Sequence, residues 1–295
     1  VHRPRQNACE GRMEQLTELL TGTKIPVGKT AKAIFDWLTT HAAGLFNAIS
    51  ALMNALINSI LHILELPHPL IFTALAVALA WVLQRSWRTC LLVGLGFLFI
   101  LNQGYWKETM QSLTLVLSAC VVCMAIGVPI GIAAAHRPRL YAWMRPVLDL
   151  MQTLPTFVYL IPAIVLFGIG MVPGLIATVI FVLPAPIRLT HLGISSTPQA
   201  LVEAGTAFGA TPRQLLWKVE LPSAMPQIMA GLNQTIMLSL SMVVIAALVG
   251  AAGLGVPVVR ALGSVNTALG FESGSIIVVV AIMLDRVLRV RRRDD

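Results

Sequence analysis

A glycine-rich stretch near the start of the chain has the residue types of a phosphate-binding loop. Gly22 is followed by Gly28, Lys29 and Thr30, whereas a loop that cradles phosphate with its backbone amides has the pattern G-x-x-x-x-G-K-[ST]. The spacing here is one residue too long, and no strand-and-helix alternation surrounds it. We therefore expect that this chain does not bind ATP.

Two cysteines have the spacing of a metal or redox site. Cys120 and Cys123 form a C-x-x-C pair, but valines and a methionine surround them and no second pair lies nearby. A structural metal site needs further ligands, so we predict that both are small buried apolar side chains. The remaining cysteines, Cys9 and Cys90, are scattered, and no extracellular disulfide framework is indicated. We expect neither a metal site nor a cofactor in this chain.

The most informative polar stretch is a long segment, roughly residues 189–231, between two apolar runs. Loops in helical bundles are usually short, so this length indicates a specific role. Pro198 is predicted to open one short helix, and Thr211 with Pro212 provides the cap and first-turn proline of a second. Small residues at the bend leave room for a partner. An apolar face and a polar rim follow, formed by Leu215, Leu216 and Val219, and by Arg213 and Lys218.

The spacing inside this segment resembles the cytoplasmic loop of ABC importer permeases. That family has Glu-Ala-Ala, three residues, Gly, nine residues, and then Ile, any residue, Leu, Pro. The spacing matches throughout, with Gly205 in place of the second Ala and Val219 in place of Ile. The residues that the resemblance assigns to coupling with an ATPase are Glu203, Ala204, Gly205, Gly209, Ala210, Leu221 and Pro222.

Four further stretches are similar to the glycine betaine/proline permeases in particular. They are KIPVGKTAKAIFDWLTTH, MQTLPTFVYLIPAIVLFGIGMVPG, FVLPAPIRLTHLGI and GLNQTIMLSLSMVVIAALVGAAGLG. The resemblance implies a permease subunit in the bacterial inner membrane that imports glycine betaine, proline or choline. It also implies a permease homodimer, two separate ATP-binding subunits that hold ATP and Mg, and an extracytoplasmic substrate-binding protein.

The composition of the chain is that of a membrane protein. The 295 residues are 57% hydrophobic and 12% charged, with a mean hydropathy of +0.81. A membrane-spanning helix needs about 20 apolar residues. We predict an all-α, polytopic fold whose transmembrane domain covers residues 68–295. Seven apolar stretches are expected to form its spans, near residues 69–85, 89–102, 109–135, 156–170, 174–188, 232–252 and 274–289.

The net charge of +8 comes from basic clusters between the apolar stretches, as the positive-inside rule predicts for cytoplasmic loops. If the C-terminal arginines, Arg289 to Arg293, lie inside, alternation places Arg85, the Arg137–Arg145 loop and the 189–231 loop inside as well. The same alternation puts Lys24, Lys29 and Lys32 outside if nothing upstream crosses the membrane.

The N-terminal region is predicted to contain a polar segment, residues 1–40, and an amphipathic helix, residues 41–67. Polar residues recur along one face of that helix. They are Asn47, Ser50, Asn54, Asn58 and His62. Two interpretations remain open: a helix at the interface or against the bundle, and a membrane span with a polar packing face.

A possible translocation path lies at the fourth apolar stretch. Pro155 should distort the helix there, and interrupted helices often line a transport path. The candidate lining residues are Gln152, Thr153, Phe157 and Tyr159. The alternative role of these side chains is simple helix packing.

Other function classes lack the residues that they require. Within the apolar stretches we find no paired carboxylates and no Ser/His/Asp set, so an intramembrane enzyme is not supported. A secondary transporter or channel, which we keep as the alternative function, needs ionisable or ion-coordinating groups in the membrane. The central stretches contain almost none.

Overall fold

The computed structural model describes residues 27–288, and Cys9, Gly22, Lys24 and the arginines from Arg289 lie outside them. All regular structure in the described residues is helical, as predicted. In chain order the helices are α1 (Val27–His41), α2 (Ala43–Glu65), α3 (Pro69–Gln84), α4 (Trp87–Asn102), α5 (Trp106–His136), α6 (Pro138–Thr153), α7 (Thr156–Phe167), α8 (Met171–Val182), α9 (Pro184–Ser195), α10 (Gln199–Ala207), α11 (Pro212–Leu215), α12 (Leu221–Ala247), α13 (Gly255–Gly263) and α14 (Thr267–Leu288). A π-helical turn, Leu216–Glu220, joins α11 to α12.

Five helices in the described part are long and apolar enough to cross a membrane. They are α2, α5, the continuous run α8–α9, the run from α11 to α12, and α14. The bent pair α6–α7 would add a sixth, while α3 and α4 are shorter apolar helices. The polytopic helical fold is therefore confirmed, and every predicted apolar stretch lies in or overlaps one of these helices.

Two predicted loops are largely helical. The Arg137–Arg145 stretch is the first half of α6, and the segment predicted as a 189–231 loop includes the end of α9, all of α10 and the first turns of α12. The physical reason is that polar side chains end the apolar stretch without ending the helix, because Leu, Ala, Arg and Gln all favour helical backbone. Hydropathy therefore located the apolar stretches, whereas the helices extend beyond them.

By its internal contacts the chain divides after Phe46. In the first unit, α1 leaves Ile34 and Trp37 more than half exposed, and the Trp37 ring stacks on His41 with centroids 4.9 Å apart. In the second unit, the polar stripe of α2 faces outward: Asn54, Asn58 and His62 are exposed, while Ile57 is buried. The polar stripe is therefore not used for packing within the described part of this unit.

The centre of the second unit is α5, whose buried residues join the largest apolar cluster. It crosses α9 at very short range because two glycines, Gly127 and Gly131, are spaced four residues apart on one face. A Cβ atom at residue 131 would lie 2.6 Å from the Thr190 Cβ atom and 2.7 Å from the Ile187 carbonyl oxygen. Small residues at this spacing allow two membrane helices to approach backbone to backbone.

Gly131→Ala should separate α5 from α9 and lower the midpoint temperature of unfolding in detergent. Overpacking of this kind costs about 1–3 kcal/mol. The matched control is Gly274→Ala on α14, where a Cβ atom would meet nothing within 4 Å. The midpoint of the control should equal that of the unmodified chain or exceed it. An equal midpoint for Gly131→Ala would show that the crossing is not tight.

Candidate functional site

The segment spanning residues 198–222, which we call the 198–222 segment, contains two short helices and a sharp bend. The first, α10, ends in a Schellman motif. The Ala210 amide donates to the Gly205 carbonyl at 3.1 Å, and the Gly209 amide donates to the Thr206 carbonyl at 2.9 Å. Gly209 has a φ of +77°, a left-handed conformation that glycine adopts without steric cost. The bend therefore depends on the residue type at position 209.

The second helix, α11, begins with a capping box, in which a residue at the helix start and one three residues later bond to each other's backbone. The Thr211 amide donates to Gln214 Oε1 at 2.9 Å, and the Gln214 amide donates to Thr211 Oγ1 at 3.4 Å. Pro212 occupies the first turn. The two helix starts predicted from Pro198 and from Thr211 with Pro212 are therefore confirmed.

The two short helices pack against each other through Gly205. A Cβ atom at that residue would lie 2.8 Å from Leu215 Cδ1 and 3.6 Å from Val219 Cγ2. Leu215 and Val219 are half-buried, so these residues of the predicted apolar face pack inside the segment. Arg213 and Lys218 are exposed, as a polar rim requires.

The structure places the sequence-predicted coupling residues at different depths. Glu203, Ala204, Gly209 and Pro222 are exposed, whereas Gly205, Ala210 and Leu221 are half-buried. The Glu203 carboxylate accepts a hydrogen bond from Gln199 Nε2 at 2.7 Å, one helical turn earlier. The exposed members lie where a partner can reach them, and the half-buried members hold the bend together.

Sequence reasoning missed the apolar residues that the segment exposes. Phe208 is 92% exposed at the bend, and Trp217 is 64% exposed on the π-helical turn. Phe208 comes immediately before Gly209, the residue at which the chain turns. A large apolar residue at the end of a short predicted helix was the signal in the sequence that could have indicated this exposed side chain. An exposed phenylalanine on a rigid bend is a feature of protein–protein contact sites.

A side-chain contact, also missed from the sequence, joins the 198–222 segment to α5. His136 Nε2 lies 2.9 Å from Glu220 Oε2, and Glu220 is 8% exposed. The apolar residues Leu216 and Leu221 pack beside this pair in a cluster with Ile194, Ala224 and Ile228. The segment is therefore held to the bundle by a polar side-chain contact as well as by apolar contact.

The predicted path residues surround the bend between α6 and α7, which is 96°. Gln152 and Thr153 lie at the end of α6, and Phe157 is 58% exposed in the first turn of α7. Tyr159 is 9% exposed, and its hydroxyl donates to the Met151 carbonyl at 2.6 Å. The four residues are therefore brought together at one bend, and Tyr159 satisfies a carbonyl at the end of α6.

Two side-chain contacts fix α6 against α9, and neither was predicted. Arg188 Nη2 donates to Asp149 Oδ1 at 2.6 Å, and the Tyr141 and His191 rings stack with centroids 3.7 Å apart. These contacts set the orientation of α6 and therefore of the bend that follows it.

Cys120 and Cys123 are both buried on α5, with relative exposures of 5% and 0%, as predicted. Within residues 27–288 no three His, Cys, Asp or Glu side chains cluster in a way that would hold a metal ion.

Comparison with known proteins gives a consistent family match. The family described as "binding-protein-dependent transport system inner membrane component" matches residues 127–289. The glycine betaine transport system permease protein OpuAB of Bacillus subtilis is 46% identical over 264 residues, which is 90% of this chain and 93% of that protein. The glycine betaine/proline betaine transport system permease protein ProW of Escherichia coli is 43% identical over 92% of this chain and 77% of its own length.

A solved structure shares the fold. A chain of the inward-facing MetNI methionine ABC transporter superposes with a TM-score of 0.56 at 23% identity. The match covers 66% of the present chain and 98% of the MetNI chain.

Gly209→Ala should loosen the bend of the 198–222 segment. The left-handed conformation costs a residue with a Cβ atom about 1–2 kcal/mol, and a Cβ atom here meets nothing within 4 Å, so the cost is conformational alone. We expect the amides of Gly209 and Ala210 to exchange hydrogen at least about fivefold faster. Gly209→Asn, which tolerates this conformation, is the control. Equal exchange in the alanine variant would refute the strain argument.

Proposed function

This chain belongs to the family of binding-protein-dependent transport system inner membrane components, and we propose that it imports an amine osmolyte: the quaternary amines glycine betaine or choline, or proline. It is a multi-pass inner membrane protein and the permease subunit of an ABC transporter. The observation that supports the substrate class is near-full-length similarity to permeases named for glycine betaine. That similarity includes the membrane helices through which a substrate would pass.

The proposed assembly contains two copies of this chain, two ATP-binding subunits and an extracytoplasmic substrate-binding protein. ATP and Mg would be held by the ATP-binding subunits, and the present chain would act by changing conformation. Two observations support a docking role for the 198–222 segment: its match to the spacing of importer permeases, and the exposure of Glu203 and Phe208 at a bend held by hydrogen bonds and a capping box.

The bend between α6 and α7 supports a specific role for each of the predicted path residues. We assign Phe157 to the wall of the substrate path, because its ring is 58% exposed and an aromatic face attracts a quaternary ammonium. Gln152 and Thr153 would supply polar contacts at the same bend, and Tyr159 would hold the bend in shape. Substrate would then pass where the chain is interrupted, as in other transport proteins.

The test of the substrate class is uptake into liposomes that contain the chain with its ATP-binding subunit. Glycine betaine, proline and choline are offered one at a time with the binding protein and with internal or external ATP. Uptake of one amine that requires both ATP and the binding protein is the expected result. Uptake that continues without the ATP-binding subunit would instead favour a secondary transporter.

Docking of the ATP-binding subunit should depend on Glu203 and Phe208. Glu203→Lys reverses an exposed charge at the predicted contact. Phe208→Ala removes a large apolar side chain, and a central aromatic contact of this kind is worth about 2 kcal/mol or more. Each variant should bind the ATP-binding subunit at least about 30-fold more weakly while its membrane insertion is unchanged.

Matched controls for these two variants are Glu65→Lys at the end of α2 and Phe271→Ala on α14. Both side chains are exposed in the structure, Phe271 at 81%. Co-purification and stimulated ATP hydrolysis are measured for all four. Unchanged binding in Glu203→Lys and Phe208→Ala together would remove the 198–222 segment from the interface.

A further inference from the structure

A carboxylate is buried where the 198–222 segment meets the membrane helices. Glu220 is the last residue of the π-helical turn and is 8% exposed. A buried charge is costly unless a partner compensates it, and the partner here is His136, the last residue of α5. The pair therefore joins the end of one central helix to the start of another, α12.

Each nitrogen atom of the His136 ring faces an oxygen atom. Nδ1 lies 2.9 Å from the Ile132 carbonyl oxygen, and Nε2 lies 2.9 Å from Glu220 Oε2. The ring is therefore held between its own helix and the residue that precedes α12.

An apolar cluster includes the chain neighbours of both residues, Ala135 before His136 and Leu221 after Glu220. Its members are Met124, Val128, Ile132, Ala135, Ile194, Leu216, Leu221, Ala224 and Ile228. Glu220 is buried, whereas the His136 side chain keeps a solvent-facing edge. Because its carboxylate is directed at one nitrogen atom, the pair fixes the angle between the 198–222 segment and α5 more closely than apolar contact can.

Position 220 is one of the positions that the importer-permease pattern leaves open. The pattern specifies the neighbours Val219, Leu221 and Pro222, and accepts any residue between them. In this chain that place holds a buried glutamate with a partner 84 residues away in the sequence. The pair is thus a feature of this chain that the shared motif does not explain.

The opposite end of α5 is also attached by a directed bond. Ser112 Oγ accepts a hydrogen bond from the Leu254 amide at 2.8 Å, and both residues are buried. Ser112 and His136 are about 36 Å apart along the helix, at 1.5 Å for each residue. A movement of the 198–222 segment that shifts His136 would therefore reach the loop before α13 through one continuous helix.

We infer that His136 and Glu220 form a positioning pair that transmits movement of the 198–222 segment to α5. The inference rests on the proposed function, in which ATP-driven movement enters the chain at that segment. Neither residue touches substrate or nucleotide in this scheme. The pair acts by keeping α5 and the segment in one orientation while the ATP-binding subunits close.

The experiment measures substrate molecules imported per ATP hydrolysed in liposomes, together with the midpoint temperature of unfolding. His136→Gln and Glu220→Gln each replace one member of the pair by an amide of similar size. Each should lower the import ratio by at least about fivefold, the lower range of coupling between distant sites. His62→Gln on α2 is the matched control, since its side chain is exposed, and it should leave the ratio unchanged.

A double variant separates positioning from stability. His136→Leu with Glu220→Met replaces the pair by apolar side chains, a change that often leaves stability equal or higher. We expect a midpoint close to that of the unmodified chain and an import ratio as low as in the single variants. A restored ratio in the double variant would overturn the inference, because the pair would then serve stability alone.

The single variants give a second way to refute the inference. An import ratio in His136→Gln equal to that of the unmodified chain would overturn it even if Glu220→Gln failed to accumulate, because His136 is 46% exposed and tolerates replacement. Failure of the unmodified chain to import any amine with its ATP-binding subunit would count against the proposed function instead. The two failures are therefore distinguishable.

Discussion

Hydrocarbon offers no hydrogen-bond partner to a backbone N–H or C=O group, so a break in a membrane helix needs a partner from the protein. Three breaks between the described helices have such a bond. The Tyr159 hydroxyl bonds to the Met151 carbonyl at the bend of α6 and α7. The Gly170 amide donates to the Val249 carbonyl, 2.9 Å away, and the Leu254 amide donates to Ser112. These interruptions are thus specific structures, and two of the three are held by residues that lie far apart in sequence.

Hydrocarbon also removes the hydrophobic force that drives helices together in water. Close van der Waals packing between the helices must therefore hold the bundle together. Gly127 and Gly131 allow α5 to meet α9, and a Cβ atom at Gly174 would lie 3.0 Å from both Ala246 and Ala251. The result is a central group of helices, α5, α8, α9 and α12, that touch at very short range. Interiors packed at this density resist internal rearrangement.

The 198–222 segment has two surfaces with different tasks. Its inner surface packs Leu215 against Gly205 and pairs Glu220 with His136. Its outer surface exposes Glu203 and Phe208 at a bend with little freedom. A permease driven by a separate ATPase needs this combination, because force applied to a mobile loop would be lost before it reached the membrane helices.

The sequence by itself determined the features that depend on short-range forces. Hydropathy showed the membrane helices, Pro198 and Thr211 with Pro212 marked the starts of α10 and α11, and the spacing from Glu203 to Pro222 indicated the family. It did not show that the Arg137–Arg145 stretch is helical, that Leu215 and Val219 turn inward, or that Phe208 is the exposed apolar residue. Nor did it pair His136 with Glu220 or Asp149 with Arg188. Propensity and capping act over a few neighbouring residues and are visible in any window of the chain. The direction of a side chain and the choice of its partner depend on how whole helices pack, and only the tertiary structure decided those.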